Sequence, residues 1–235
     1  EQAVAREALR LAFAHHSLLA SGLKGVQKIR SIAETFTQTG SEDSPVDMFS
    51  IDLIIGSGGV LSHAPLREQA ALMLVDAFEP RGFTDLAVDS IFMMPQLGVL
   101  ASVLEEAAQE VFVRDCLIPL GTVAAPAGHA RKGDTVMEFE LKAEDDSFSK
   151  TGTIKYGELK RLPLPEGTSA RLRIQPAKRF DMGAGPGRSA EADISGGVAG
   201  LLLDGRGRPL HLPAEDAARQ AVIAEWMEEL GFPEI

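Results

Sequence analysis

The sequence has 235 residues, of which 45% are hydrophobic and 24% charged, a composition typical of a folded globular protein and not of a disordered or fibrous chain. Its formal net charge of −11 argues against nucleic acid and against an anionic membrane surface as partners, because Lys and Arg supply most of the affinity for both. The single cysteine, Cys116, excludes an internal disulfide and is typical of the reducing cytoplasm. Every apolar run is shorter than the roughly 18 residues of a membrane-spanning helix.

The amino-terminal part is predicted to begin with a helix over residues 1–21, which are rich in Ala and Leu. The predicted apolar face of this helix consists of Val4, Ala8, Leu11, His15, Leu18 and Leu19. The helical pattern is already established at Glu1, which is not a methionine, so we expect the chain to be a trimmed or carboxyl-terminal piece of a longer protein. Residues 23–37 are weakly patterned and are predicted to hold a strand or a hairpin, with a polar loop over residues 40–46.

Two strand–helix units are predicted next. Residues 49–55 form a short apolar run, typical of a strand that is buried on both faces. It ends in three glycines within four residues and is followed by a predicted helix over residues 66–78. A second strand over 86–92, a Met-Met-Pro turn and a helix over 97–111 repeat the arrangement. This alternation predicts an α/β layer with a largely parallel sheet.

The second half of the sequence has a different pattern. Short apolar runs separated by Pro, Gly and acidic turns predict a β-rich region, either a small barrel or a sandwich. Within it, Asp204-Gly205 is predicted to form a tight hairpin turn. A helix over residues 217–230 closes the chain. We therefore predict an α/β domain over residues 1–116 and a β-rich domain with a carboxyl-terminal helix over residues 117–235.

The loop I-G-S-G-G between the first strand and its helix is the main candidate binding site. A glycine-rich turn at the carboxyl end of a strand exposes backbone N–H groups where α/β proteins bind ligands. The loop matches neither G-x-G-x-x-G nor the phosphate loop G-x-x-x-x-G-K-[ST], and it contains no lysine. From the residues alone, a ligand contact and a tight strand-to-helix turn both stay open, and the turn is favoured.

Several segments together resemble one protein family. They are I-D-L-I-I-G-S-G-G-V-L-S-H-A-P with the helix after it, L-A-V-D-S-I-F-M-M-P-Q-L-G-V-L-A, F-D-M-G-A-G-P-G-R-S, and G-V-A-G-L-L-L-D-G-R-G-R-P-L-H-L-P. The family is that of the methylaspartate (glutamate) mutase accessory proteins, also called MutL, which are unrelated to the mismatch-repair proteins of the same name. The resemblance extends over nearly the whole chain from about Asp47.

This resemblance implies an actin-like, sugar-kinase-like ATPase fold that binds ATP with magnesium. The residues implied to lie against the ribose and adenine are Gly56, Ser57, Gly58 and Gly59, with Val60 and Leu61 shaping the floor of the site. Family members also have an amino-terminal lobe with a D-x-G-x-T type loop for phosphate and magnesium. The sequence has no such strand-led loop before residue 50. The phosphate half of the site is therefore expected outside this chain, and no catalytic residue is identified.

The function implied by the resemblance is that of a reactivating chaperone for an adenosylcobalamin-dependent mutase of the glutamate or ornithine type. It would use ATP to promote the release of damaged cobalamin, and it would be an ATPase only together with the amino-terminal lobe. One alternative is a subunit of an ATP-dependent hydantoinase or acetone carboxylase. Another is a non-enzymatic interaction module whose glycine loop is structural. A homo-oligomer is also left open.

Other polar residues are predicted to have structural roles. The glycine-rich segment around Asp181 is predicted to be a turn, with a phosphate loop as the less favoured alternative because Pro186 lacks an N–H. The acidic residues predicted to form a solvated face are Asp76, Glu79, Asp85 and Asp89, with a functional role for Asp89 less favoured. Cys116 is predicted to lie in the core. The five histidines lack the spacing of metal ligands, and no metal site is predicted on them.

Overall fold

A computed structural model describes residues 1–22 and 46–232 of the chain. The helices are α1 (Gln2–Gly22), α2 (Gly59–Ser62), α3 (Arg67–Phe78), α4 (Met94–Ala101), α5 (Glu105–Val111) and α6 (Asp216–Glu229), and a π-helical turn, Phe112–Cys116, follows α5. The strands are β1 (Leu53–Gly56), β2 (Gly82–Asp89), β3 (Leu117–Ala125), β4 (Thr135–Ala143), β5 (Ser149–Lys155), β6 (Leu159–Leu162), β7 (Ser169–Pro176), β8 (Ala190–Ser195) and β9 (Gly200–Asp204). The strand or hairpin predicted over residues 23–37 lies outside the described residues.

A five-stranded sheet has the strand order β1-β2-β3-β9-β6. The pairs β1–β2 and β3–β9 are parallel, whereas β2–β3 and β6–β9 are antiparallel. The two strands on which the prediction of a parallel sheet was based, β1 and β2, are indeed parallel, but the strands added from the second half of the chain make the sheet mixed. The π-helical turn after α5 brings the chain back to the edge at which β2 ends, so β3 starts beside Asp89 and runs in the opposite direction.

A second sheet has four antiparallel strands in the order β5-β4-β7-β8. Neither sheet closes into a barrel within the part of the chain that the structure describes. The five-stranded sheet contains strands from both sides of the boundary predicted at residue 116. Its strands β2 and β3 pair along their whole length across that point. The predicted boundary therefore does not separate one sheet from the other.

The described residues form three layers, with the five-stranded sheet in the middle. One core lies between this sheet and the helices, and it includes Leu74 of α3 and Trp226 of α6. A second core lies between the two sheets. Strand β9 contributes to both, because alternate residues of a strand face opposite sides. Leu202 belongs to the helical core, while Leu201 and Leu203 belong to the core between the sheets.

Helix α1 packs on α3 with a different face from the predicted one. Ala5 and Leu9 contact the helical core, and the Phe13 ring lies 5.4 Å from that of Phe78, centroid to centroid. The predicted face is exposed instead, with Val4 at 73%. The face that packs carries Arg6, whose guanidinium lies 3.2 Å from the Asp76 carboxylate. This ion pair to a distant residue is not visible in the periodicity of the sequence.

Four charged residues form a buried ion cluster that we define as Asp76, Asp204, Arg206 and Arg208. Arg206 donates to both carboxylate oxygens of Asp204, at 2.9 and 2.8 Å, and Arg208 donates to one of them at 2.7 Å. On its other side, Arg206 lies 2.8 Å from Asp76. Burial favours the neutral form of Asp204, but the two guanidinium groups outweigh it and hold the pKa of this carboxyl well below its usual range.

The ion cluster corrects two predictions. Asp76 does not belong to a solvated acidic face, because it is buried against Arg206. Nor does Asp204-Gly205 turn the chain into a hairpin. The segment after β9 crosses to the end of α3, where Arg208 donates to the Pro80 carbonyl at 3.1 Å. The cluster thus joins the carboxyl-terminal segment to a helix more than a hundred residues earlier in the chain.

Candidate functional site

The glycine loop follows β1, as predicted, and lies at the edge of the five-stranded sheet where both β1 and β2 end. Its first glycine has a packing role. A Cβ atom at Gly56 would lie 3.0 Å from a methyl carbon of Leu61 and 3.2 Å from one of Leu74. Leu61 itself is buried in the helical core. The absence of a side chain at Gly56 therefore allows Leu61 of α2 and Leu74 of α3 to lie closely against the end of β1.

The next part of the loop is open. No heavy atom lies within 4 Å of a Cβ atom built on Gly58 or on Gly59. Gly58 has φ +106°, a conformation that residues with a side chain rarely adopt. Gly59 is the first residue of α2, and its φ lies outside that left-handed region. Val60 is also exposed. The loop thus presents bare main chain to solvent, as a close approach to a ligand requires.

Two cavities of the described residues lie away from the open part of the loop. A cavity of about 480 Å³ lies beside Trp226, and another of about 470 Å³ lies on the four-stranded sheet. The loop lines neither of them.

Asp89, at the end of β2, holds the loop in place. Its side chain accepts hydrogen bonds from the Ser57 hydroxyl at 3.2 Å and from the backbone N–H groups of Met93 and Met94 at 3.1 and 2.9 Å. Its backbone carbonyl accepts from the Ser62 hydroxyl at 2.5 Å. One residue thus joins the glycine loop, α2 and the start of α4.

The Asp89 side chain is fully buried, with 0% exposure, so its placement on a solvated acidic face was wrong. Burial raises the pKa of this carboxyl, but the hydrogen bonds from Met94, Met93, Ser57 and Ile91 outweigh it, and the pKa lies below its usual value. Asp89 is therefore a buried carboxylate with its charge retained. The sequence signal for this role was an aspartate that ends an apolar strand next to the loop-bearing strand.

Cys116 lies in the core, as predicted, beside the end of β2. Its backbone carbonyl accepts a hydrogen bond from Ser90 at 2.8 Å. Burial raises the pKa of the Cys116 thiol, and the negative charges of Asp89 and Asp115 raise it further. The thiolate is the reactive form of cysteine, so the structure gives this residue no nucleophilic role.

We expect Cys116 of the native protein to resist a thiol reagent such as DTNB at pH 8, because the side chain is buried and protonated. Labelling should occur at the rate of unfolding and become fast in denaturant. Absorbance of the released thiolate measures both rates. Stoichiometric labelling within seconds under native conditions would contradict the burial of this thiol.

The glycine-rich segment around Asp181 is a self-contained turn. The Asp181 carboxylate accepts hydrogen bonds from the N–H groups of Gly183 and Gly185, at 2.7 and 2.9 Å. A phosphate cradle would need those N–H groups free. The geometry therefore favours the turn that was predicted over the alternative of a phosphate loop.

Metal-binding side chains do not gather at the loop. Among residues 1–22 and 46–232, no group of three His, Cys, Asp or Glu side chains is arranged to hold a metal ion. His129 and Tyr156 share a hydrogen bond of 2.6 Å between Nδ1 and the phenol oxygen, and they lie in the β-rich part of the chain. The described helices also include none of the length and apolarity that crossing a membrane requires.

Comparison with known proteins gives one match. A model of a protein family described as MutL protein matches residues 1–116. No curated protein and no solved structure matches the chain. The matched part contains β1, the glycine loop, Asp89 and helices α1 to α5. It ends at Cys116, one residue before β3 begins.

Proposed function

Residues 1–116 belong to the MutL protein family, the glutamate mutase accessory proteins, and on this premise we propose that the protein is part of an ATP-dependent reactivating factor. Its partner would be an adenosylcobalamin-dependent mutase of the glutamate or ornithine type, and its task the release of damaged cobalamin. The family match is the observation that carries this proposal. The resemblance of the later segments, from Phe180 to Pro213, lies beyond the match and stays a prediction.

The open main chain at Gly58 and Gly59 supports a nucleotide site. A purine or ribose ring can lie flat against backbone only where Cβ atoms are absent, and both positions have that space. ATP bound here would supply the free energy for opening the mutase. Ser57 to Val60 are the residues that would contact the adenosine end of ATP. Gly56 and Leu61 are buried behind them and hold the loop against the helical core.

The magnesium and phosphate end of ATP has no matching residues at the loop. The Asp89 carboxylate contacts the loop through Ser57, but both of its oxygens accept hydrogen bonds, from Ser57, Met93 and Met94. A carboxylate in this state is a structural anchor and not a free magnesium ligand. We therefore propose that residues away from the loop, in an actin-like partner lobe, supply the phosphate half of the site.

The alternative of an interaction module with a structural glycine loop is favoured by one observation. Gly56 is required for packing against Leu61 and Leu74, whether or not a ligand binds. Gly58 and Gly59 have no comparable packing role. Nucleotide binding, and its dependence on Gly59, separates the two functions.

In the protein as expressed in its source, with any flanking segments, ATP or ADP at about 100 times Kd should stabilise the fold by about 2.7 kcal/mol. Gly59→Val should weaken nucleotide binding at least tenfold, because the added side chain occupies the open space beside the loop without backbone strain. Melting temperature as a function of nucleotide concentration measures both effects.

Gly98→Val is the matched control, since Gly98 is also a helical glycine with open space around its Cβ position. This variant should bind nucleotide as the wild type does. If the wild-type protein shows no nucleotide-dependent shift, the ATPase proposal fails. If the wild type binds but Gly59→Val binds equally well, the nucleotide lies elsewhere.

A further inference from the structure

Phe92 has an unusual combination of backbone conformation and exposure. Its φ angle is +58°, in the left-handed region that a bulky side chain seldom occupies. Burial of the ring does not offset this unfavourable conformation, because the side chain is 51% exposed. Strain of this kind persists where the surrounding structure enforces it, and such positions cluster at functional sites.

The enforcing group is Asp89. Its carboxylate accepts the N–H groups of Met93 and Met94, the two residues directly after Phe92. Because Asp89 is buried and charged, these bonds fix the turn between β2 and α4 and hold the Phe92 ring outward. The fold thus uses a buried carboxylate to keep an aromatic ring exposed.

Further exposed apolar side chains lie close to the ring in sequence, on the segment that follows it. We define the Phe92 face by its exposed apolar residues, which are Ile91, Phe92, Met94, Val99, Leu100, Val103 and Leu104. Val103 is 79% exposed. The two helices of this segment, α4 and α5, pack against each other. An exposed apolar surface of this kind is typical of a protein interface.

The charges around this face have one sign. Between Ile91 and Val113 the sequence contains Glu105, Glu106 and Glu110 and no Lys or Arg. All three glutamates are exposed. The first basic residue after them, Arg114, is paired with Asp115 at 2.8 Å and with Glu110 at 3.4 Å, which leaves Glu105 and Glu106 to face a partner. A complementary partner surface would therefore be apolar at its centre and basic at its rim.

We propose that the Phe92 face is the surface by which the protein docks on its protein partner, with the Phe92 ring as the central anchor. The partner has an apolar pocket that accepts the ring and Lys or Arg side chains that meet Glu105 and Glu106. This inference rests on the proposed function, which makes that partner the mutase. Aromatic anchors at the centre of an interface commonly carry much of the binding free energy. The acidic rim disfavours an anionic lipid surface.

The test compares Phe92→Asn with Val198→Asn in binding to the purified mutase. Asparagine tolerates the left-handed conformation, so Phe92→Asn removes the ring without adding strain. Val198 lies in the loop before β9 and is 41% exposed, which makes it a matched loss of an exposed apolar side chain. We expect the Kd of the mutase complex to rise at least about 30-fold for Phe92→Asn and to stay unchanged for Val198→Asn. Glu105→Lys should slow association, and its effect should shrink at high salt.

The outcomes separate the two levels of the proposal. If wild-type protein binds no mutase, the proposed function fails, and the docking inference fails with it. If wild-type protein binds and Phe92→Asn binds equally well, the docking inference alone fails. Sedimentation velocity of both variants adds a further check. Loss of self-association in Phe92→Asn with unchanged mutase binding would assign the face to a second copy of the chain and overturn the inference.

Discussion

Replacing Asp204 by asparagine should lower the free energy of unfolding by about 3–5 kcal/mol. The side chain is fully buried and accepts three charged hydrogen bonds, two from Arg206 and one from Arg208. Asparagine keeps the shape but removes the charge, which leaves two buried guanidinium groups with Asp76 as the one remaining carboxylate of the cluster. A buried charge that loses its partner is far more costly than a broken surface pair.

The matched control for this substitution is Asp193→Asn. Asp193 also accepts two hydrogen bonds from one arginine, Arg171, at 2.8 and 3.2 Å, but both side chains are exposed. Its loss should cost no more than about 1 kcal/mol. Trp226 is the single tryptophan and lies under Arg206 at 4.7 Å, so its fluorescence in urea reports unfolding directly. Equal destabilisation by the two substitutions would contradict the role of burial.

The same cluster predicts a dependence of stability on pH. Because the pKa of Asp204 is lower in the folded protein than the unfolded value of about 4, its contribution is fully present above pH 4. It is lost progressively as the pH falls below 4 toward the folded pKa. Wild-type protein should therefore lose stability on acidification from pH 5 to pH 3 more steeply than Asp204→Asn does.

Asp89→Asn is expected to have the second largest effect, a loss of about 3 kcal/mol. Both carboxylate oxygens of Asp89 accept hydrogen bonds from donors at fixed positions. The amide of asparagine would bring an N–H group against one of these donors. We expect faster hydrogen exchange in the turn from Ser90 to Met94 as well as lower overall stability, both of which are measurable by mass spectrometry and urea denaturation.

Asp85→Asn provides the control on the same strand. Asp85 is exposed and accepts a hydrogen bond from the Thr122 hydroxyl, which an asparagine oxygen also accepts. Its replacement should cost less than about 1 kcal/mol. If Asp89→Asn proves as mild as Asp85→Asn, the carboxylate does not hold the loop and the turn together.

The elements that could be predicted from the sequence are those with a local signal. The strand, glycine loop and helix from Leu53 to Phe78 follow from an apolar run, a glycine cluster and helical spacing. The alternating burial of β4 and β7 follows from residues that are apolar at every second position. These features depend on neighbours in sequence.

What could not be predicted depends on contacts between distant residues. Asp76 looks like a surface acid until Arg206 is placed against it, 130 positions later. The antiparallel direction of β3 depends on how α5 and the π-helical turn redirect the chain. In the candidate site, the glycines mark the loop, but only the structure separates Gly56, which packs, from Gly58 and Gly59, which are open. The charged anchor Asp89 is invisible to periodicity for the same reason.

The pairing of β2 with β3 bears on how the polypeptide can be divided. A truncation after Cys116 would retain every residue of the family match. It would nevertheless remove β3, β9 and β6 from the five-stranded sheet. The backbone groups of β2 that β3 now satisfies would face water, and Leu86 and Val88 would lose the neighbours that shield them. The limit of the family match at Cys116 therefore does not coincide with a limit of the sheet, and we expect residues 1–116 alone not to reach the fold described above.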